Sequence, residues 1–402
     1  MPEDAAVYRT PPDHARSPGP DLGPDLAPPP DFAPPPDLTP PLSFGNDAGA
    51  CVVRQQVKPC VPKQKTFELP RYLTGFQSPQ YVSIGDLNGD GWNDIVVSDL
   101  GKGCMYPEVG VILNKGDGTF AAPDLYFADC RLGITRFGDL NSDGHVDIVV
   151  IGNRSANVFL NLGNGKFGNS VTYMYPEIDG AYGGEIADVN CDGWLDLVTP
   201  NFMYLNQKDG TLRFLVTYSK PDRAGPWRAI AISDLDGDAW PDLVLCGDDP
   251  FSVYSNQGGR FVRTYMLGHS CHRFDLSLGD LNHDSRLDAL AGTAALLGDG
   301  HGLFLWPPTD MIKQNHPRLN DVNGDGFADV VFGLANPSVM LGNGDGTFGM
   351  IVPQGFALSP TDPEWTLGDL DGDCFDDIAG VNQTNGRVPL FHNMKDGTFY
   401  QY

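Results

Sequence analysis

The sequence predicts an all-β chain closed as a seven-bladed β-propeller, and three observations carry that prediction. A nonapeptide with Asp at positions 1, 5 and 9 and Asn or Asp at position 3 recurs seven times, starting at Asp86, Asp139, Asp188, Asp234, Asp280, Asp321 and Asp369. The starts are 53, 49, 46, 46, 41 and 48 residues apart, the length of a four-stranded blade. Between them lie apolar runs of four to six residues without helical periodicity, in a chain holding 49 Gly and 34 Pro. Seven like units that must each bury their faces against a neighbour all do so in a ring.

In chain order, residues 1–50 are low-complexity. Pro-Asp-Leu/Phe recurs at Pro20-Asp21-Leu22, Pro24-Asp25-Leu26, Pro30-Asp31-Phe32 and Pro36-Asp37-Leu38. Proline at this density blocks helix and sheet, the acidic groups repel, and little apolar surface is available for collapse. A disordered, extended linker or stalk is expected, with docking to a proline-reading domain disfavoured by the missing basic flanks. Residues 51–64 form a short cysteine-containing lead-in, and the propeller is expected over 65–402. Lys65 to Leu73 reads as a fourth strand ahead of the first loop. It could join the last blade, whose own fourth strand, Thr398 to Tyr402, is cut short. The sequence leaves open which of the two takes the outer edge.

Each repeat follows one plan. A short strand ending in a small residue runs into the loop, as in Tyr81-Val82-Ser83-Ile84-Gly85-Asp86, and a β-branched strand such as Ile95-Val96-Val97 follows. After a third strand (Val109 to Leu113) comes a Gly-rich hairpin, Asn114-Lys115-Gly116-Asp117-Gly118-Thr119-Phe120 in the first repeat and Gly342 to Phe348 in the sixth. Asp-Gly and Asn-Gly at such points mark tight turns with positive φ. The aromatic after the turn opens the fourth strand, and related hairpins are read as ending at Phe167, Phe214, Phe261, Phe304 and Phe399.

Oxygen crowding of this kind on nine residues implies a cation. Ca²⁺ takes six to eight hard oxygens in a flexible shell. The expected ligands are side chains at positions 1, 3, 5 and 9 and the backbone carbonyl at position 7. These are Asp86, Asn88, Asp90, Trp92 and Asp94; Asp139, Asn141, Asp143, His145 and Asp147; Asp188, Asn190, Asp192, Trp194 and Asp196. The later loops supply Asp234, Asp236, Asp238, Trp240 and Asp242; Asp280, Asn282, Asp284, Arg286 and Asp288. The last two supply Asp321, Asn323, Asp325, Phe327 and Asp329; Asp369, Asp371, Asp373, Phe375 and Asp377. Up to seven Ca²⁺ are expected, one per blade. Gly at position 6 permits the sharp turn in four loops, and Ala239, Ser285 and Cys374 are tolerable there only if φ stays negative. An EF-hand is excluded, because position 12 (Val97, Val150, Thr199, Leu245, Ala291, Phe332, Gly380) holds no Glu and the flanks are strands. The aromatics at position 7 read as packing that shields the ion.

A formal net charge of −26 disfavours nucleic acid and anionic membranes as partners. The loops hold 23 Asp at ligand positions out of 52 acidic residues, so seven Ca²⁺ would leave a charge of −12. No run of 18 apolar residues offers a transmembrane helix, and the opening Met1-Pro2-Glu3-Asp4 does not read as a signal peptide. Eight Cys suit an oxidising compartment. The expected pairs are Cys51–Cys60, Cys104–Cys130 and Cys246–Cys271, with Cys191 and Cys374 left free.

The loop Asp-x-Asn/Asp-x-Asp-Gly-x-x-Asp, the Phe137-Gly138-Asp139-Leu140 stretch and the Gly-Asp-Gly-Thr-Phe hairpin together resemble the FG-GAP/VCBS repeat over about residues 65–402. That family builds the propeller of integrin α subunits and of many bacterial secreted proteins. The resemblance implies a calcium-stabilised seven-bladed propeller with ions at positions 1, 3, 5, 7 and 9. It transfers no ligand.

Function is therefore expected to be a secreted or cell-surface binding or adhesion module for a carbohydrate or protein, a monomer without enzymatic activity. Calcium loops and hairpins should share one face, leaving the other for recognition, where Ser98 to Glu108, Tyr182, Asp222 to Trp227, Trp306 and Trp365 are candidates. A polysaccharide-degrading enzyme is the alternative. It is disfavoured because the carboxylates are committed to metal, and His272, His283 and His316 stand without a recognisable nucleophile. A structural part in a surface assembly is the third reading.

Overall fold

The computed structural model of the chain describes residues 62–63, 69–70, 72–101, 107–129, 132–175, 183–217, 227–247, 250–270, 276–292, 294–305, 316–333, 336–356, 358 and 364–401. The expected stalk over 1–50, five of the cysteines (51, 60, 104, 130 and 271), Tyr182, His272 and Trp306 fall outside them. All regular structure among the described residues is β. Seven antiparallel sheets follow one another along the chain, and inner strands of successive blades touch around a ring. Blade 1 runs Pro79–Gly85, Asp94–Asp99, Glu108–Ile112 and Asp124–Phe127 from axis to rim. The later inner strands are Ile134–Gly138, Glu185–Ala187, Trp227–Ser233, Leu276–Gly279, Arg318–Asn320 and Trp365–Gly368.

The second strand of every blade is buried along its whole length, because each of its faces packs on a different neighbour. Ile95 and Val97 enter the cluster between blades 7 and 1, while Val96 enters the cluster between blades 1 and 2. Alternation thus becomes a continuous apolar run when both faces are covered. Among the described residues the core is divided into seven apolar clusters, one at each junction of adjacent blades. Stability is held between blades, so a blade cannot stand alone.

Ring closure uses both ends of the chain. Tyr72–Leu73 pairs with the start of the blade 7 strand Val388–Asn393, through Tyr72↔Pro389 and Leu73↔Val388. Phe399–Tyr400 pairs with its end, through His392↔Tyr400 and Asn393↔Phe399. The outer edge of blade 7 is therefore two half-strands, which answers the question the sequence left open.

The Asp-Gly-Thr turns have a local cause. The Thr119 N–H and hydroxyl both donate to Asp117 Oδ1, at 2.9 and 2.6 Å, and Thr211 does the same to Asp209. One reading is corrected. The buried residue that opens the fourth strand of blade 3 is Leu212, opposite Asn206, and Phe214 lies two residues further, packed against Phe202 and Tyr204.

Candidate metal centres and an axial pocket

The seven loops share one hydrogen-bond scheme, written by their Asp and Asn side chains. Position 1 accepts the N–H of position 6 in all of them: Gly91, Gly144, Gly193, Ala239, Ser285, Gly326 and Cys374 donate to the preceding Asp at 2.7–3.0 Å. Position 5 accepts the N–H of position 7, as Asp90 does from Trp92 at 2.8 Å. The turn that aims the position 6 N–H inward needs a left-handed backbone. Here the expectation of negative φ fails: Ala239, Ser285 and Cys374 have φ of +71°, +66° and +72°, like the glycines of the sister loops. The bond to position 1 outweighs the strain of a Cβ in that region, about 1–2 kcal/mol.

Position 9 is buried in every loop and ties the blade together. One oxygen of Asp147 accepts the Leu140 N–H (2.8 Å) and the other the Asn161 N–H from the third strand (2.7 Å). The same pair of bonds recurs at Asp94, Asp196, Asp242, Asp288, Asp329 and Asp377. Burial first, and then the charges of other acids in the loop, push the carboxyls of Asp94 and Asp196 up to about 7 and those of Asp242 and Asp329 to about 6. A cation among the carboxylates would reverse that shift.

The donor set fits calcium, being all hard oxygen and converging. In blades 4 and 7, where position 3 is Asp, carboxylate oxygens of Asp234, Asp236 and Asp242, and of Asp369, Asp371 and Asp377, lie within 4.8 Å of one another. In blades 1, 2, 5 and 6 the position 3 Asn spans the gap, its amide donating to the position 5 carboxylate at 2.9–3.0 Å. Position 7 side chains pack beneath the hairpin of their own blade. Trp92 lies under Gly116, Phe327 under Gly344, His145 under Gly163 and Arg286 under Gly300. Loops and hairpins thus share one face.

A set of residues that sequence reasoning missed joins the loops to each other. Asn161 Nδ2 donates to Leu87 O in the loop of blade 1 at 2.7 Å, and Asn206 reaches Leu140 O, Asn256 reaches Val189 O and Asn393 reaches Val322 O. Asn114 reaches Leu370 O at 2.8 Å and so closes the ring from blade 1 to blade 7. Blades 5 and 6 carry Gly298 and Gly342 at this place, and in blade 6 the hairpin's Gly346 N–H bonds Leu281 O of blade 5 instead. The recurrence of Asn at the head of five hairpins was the available signal.

The cysteine reading is also corrected. Cys191 and Cys374, expected to be free, are disulfide-bonded, as is Cys246.

At the other end of the inner strands lies an axial pocket of about 220 Å³, lined by Tyr81, Arg136, Glu185, Arg318, Glu364 and Trp365 among others. Arg136 and Glu185 form a two-point ion pair across blades 2 and 3, at 2.7 and 2.6 Å. His316 Nδ1 lies 3.9 Å from Glu364 Oε2. Trp365 is buried at the junction of blades 6 and 7, its indole N–H bonded to Gly333 O, and contributes packing there. His283 sits in the blade 5 loop, edge-on to Phe327. Ser98 is buried, its hydroxyl donating to Gly133 O.

A family model described as an FG-GAP-like repeat matches residues 139–199, 234–291 and 321–380, each match running from one acidic loop through the next. No curated protein matches the chain. Among solved structures, BBS1N in complex with ARL6DN is similar at 13% identity, over 82% of this chain and 99% of that one, with a TM-score of 0.51. A lectin from Agrocybe aegerita, described as recognising non-reducing terminal N-acetylglucosamine, shares 24% identity over 81% and 79% of the two chains, at a TM-score of 0.41. Rhamnogalacturonan lyase from Bacillus licheniformis shares 14% identity over 85% and 76%, at 0.36. The similarity to BBS1N is one of fold alone.

Proposed function

We propose that this chain, a seven-bladed β-propeller of FG-GAP-like repeats, is a secreted or cell-surface binding module whose loops hold Ca²⁺ and whose ligand is a glycan or protein. The observation that carries the reading is the sevenfold loop, with a position 9 carboxylate buried in every blade and, in blades 4 and 7, two further carboxylates within 4.8 Å of it. Calcium at millimolar level and a Kd near 10⁻⁴ M would stabilise each site by about 1.4 kcal/mol. Seven such sites give roughly 10 kcal/mol, comparable to the whole stability of a domain. In a sub-micromolar cytosol the same sites would stand without metal, which favours an extracellular setting.

Recognition is assigned to the axial mouth, away from the calcium face. Its charged groups, Arg136, Glu185, Arg318 and Glu364, occupy a pocket sized for a small polar group, such as one sugar unit or one side chain of a partner. The module binds and does not turn over its ligand. A screen of glycans and extracellular-matrix proteins, with calcium present or chelated, tests this. Binding that needs calcium and is weakened by Arg136→Met is expected; turnover of any polymer would favour the polysaccharide-degrading alternative.

A further inference from the structure

Blade 7 repeats the acidic loop but surrounds it differently. The residue just before the hairpin is leucine in five blades (Leu113 in blade 1, Leu341 in blade 6) and Ser255 in blade 4, whereas in blade 7 it is His392. Its Nδ1 lies 3.0 Å from Asp371 Oδ2 and 3.3 Å from Asp377 Oδ1. The loop is also shut in. Position 5 is exposed in blades 1, 2, 4, 5 and 6, but in blade 7 Asp371 is 1% and Asp373 5% exposed. Lys63 of the lead-in donates its N–H to Gly372 O at 2.8 Å, and Lys395 Nζ lies 2.9 Å from Asp373 Oδ2. Within this enclosure Asp371 Oδ2 is buried without a hydrogen-bond partner, although it faces the imidazole. Carboxylate oxygens of Asp371 and Asp373 and a ring nitrogen of His392 lie within 4.8 Å of one another.

We propose that blade 7 holds a first-row transition dication of the zinc class at Asp371, Asp373 and His392, in preference to calcium. Calcium takes oxygen, whereas an imidazole nitrogen suits zinc and its neighbours in the series. Two carboxylates and a neutral imidazole balance a dication, and the metal supplies the partner that Asp371 Oδ2 lacks. Lys395 stays on Asp373 and offsets one of the two remaining ligand-position acids of the loop, Asp369 and Asp377. Three protein ligands leave the fourth position of a tetrahedral site for water or a partner's side chain.

The full chain is stripped with EDTA, returned to millimolar calcium and titrated with Zn²⁺ by calorimetry. One zinc per chain is expected against the calcium background. His392→Leu, which installs the residue of five sister blades, should weaken it by more than the roughly 10–100-fold that loss of an outer-shell partner costs, while melting in calcium shows that the variant is folded. Should that variant fail to fold, His392→Gln serves the same comparison. X-ray absorption of the zinc-loaded chain should show an imidazole nitrogen. No zinc uptake in calcium, equal uptake by the folded variants, or an all-oxygen shell would each overturn the site. Calcium stoichiometry, read separately, tests the six sister loops.

Discussion

The two ends of the inner strands obey opposite rules. At one end seven strands run into seven loops that repeat the same bonds, position for position. At the other, the strands supply side chains as different as Tyr81, Arg136, Glu185, Ala229 and Trp365. Repetition is what a ring needs for structure, since every junction must be closed in the same way. Individuality is what recognition needs. The same strand thus belongs to a brace at its C-terminal end and to a pocket at its N-terminal end.

The comparison breaks most easily at position 9. Asp147→Ala leaves the Leu140 and Asn161 N–H groups buried without acceptors, and at about 1–3 kcal/mol each the loss should be about 2–6 kcal/mol. Urea unfolding in calcium measures it. A loss below 1 kcal/mol would mean that the loop end does not brace the ring.

The pH profile of the metal-free chain gives a smaller effect with a definite sign. Burial pushes the carboxyls of Asp94 and Asp196 up to about 7 in the folded chain, well above the ordinary aspartate range near 4. Between these limits the folded chain binds more protons than the unfolded chain, so stability falls as pH rises from about 4 to 7. Calcium should remove that slope or reverse it, because protons then compete with the metal. Melting from pH 4 to 8 in EDTA and in calcium reads both; a rising curve in EDTA would contradict the burial of uncompensated acids.

The smallest effect is a gain. Ala239 holds φ of +71° only to keep its N–H on Asp234, so Ala239→Gly should stabilise by about 1 kcal/mol in calcium. A loss there would show that the Cβ packs usefully and that the backbone is not strained.

How legible each feature was in the sequence follows from its range. The acidic ladder was readable because its spacing is local and repeats. The left-handed turn at Ala239, Ser285 and Cys374 was misread, since side-chain preference was weighed without the N–H that must reach position 1. The Asn clasps recur in register, yet their partner is a carbonyl in the preceding blade, 66 to 74 residues away for Asn161, Asn206, Asn256 and Asn393. Arg136 and Glu185 occur once each, 49 residues apart, and no pattern links them. Ring closure was foreseen in outline; the sharing of one edge by Tyr72–Leu73 and Phe399–Tyr400 depends on where the blade 7 strand begins and ends.

Calcium at the acidic loops, the six sister loops of blade 7 at the least, is the premise on which the contrast between the two ends rests. Scanning calorimetry of the full chain in millimolar calcium and in EDTA tests it most directly. A stabilisation of roughly 10 kcal/mol should appear as a fall in Tm on the order of 10–20 °C on chelation, reversed by added calcium. Identical melting in the two solutions would contradict it.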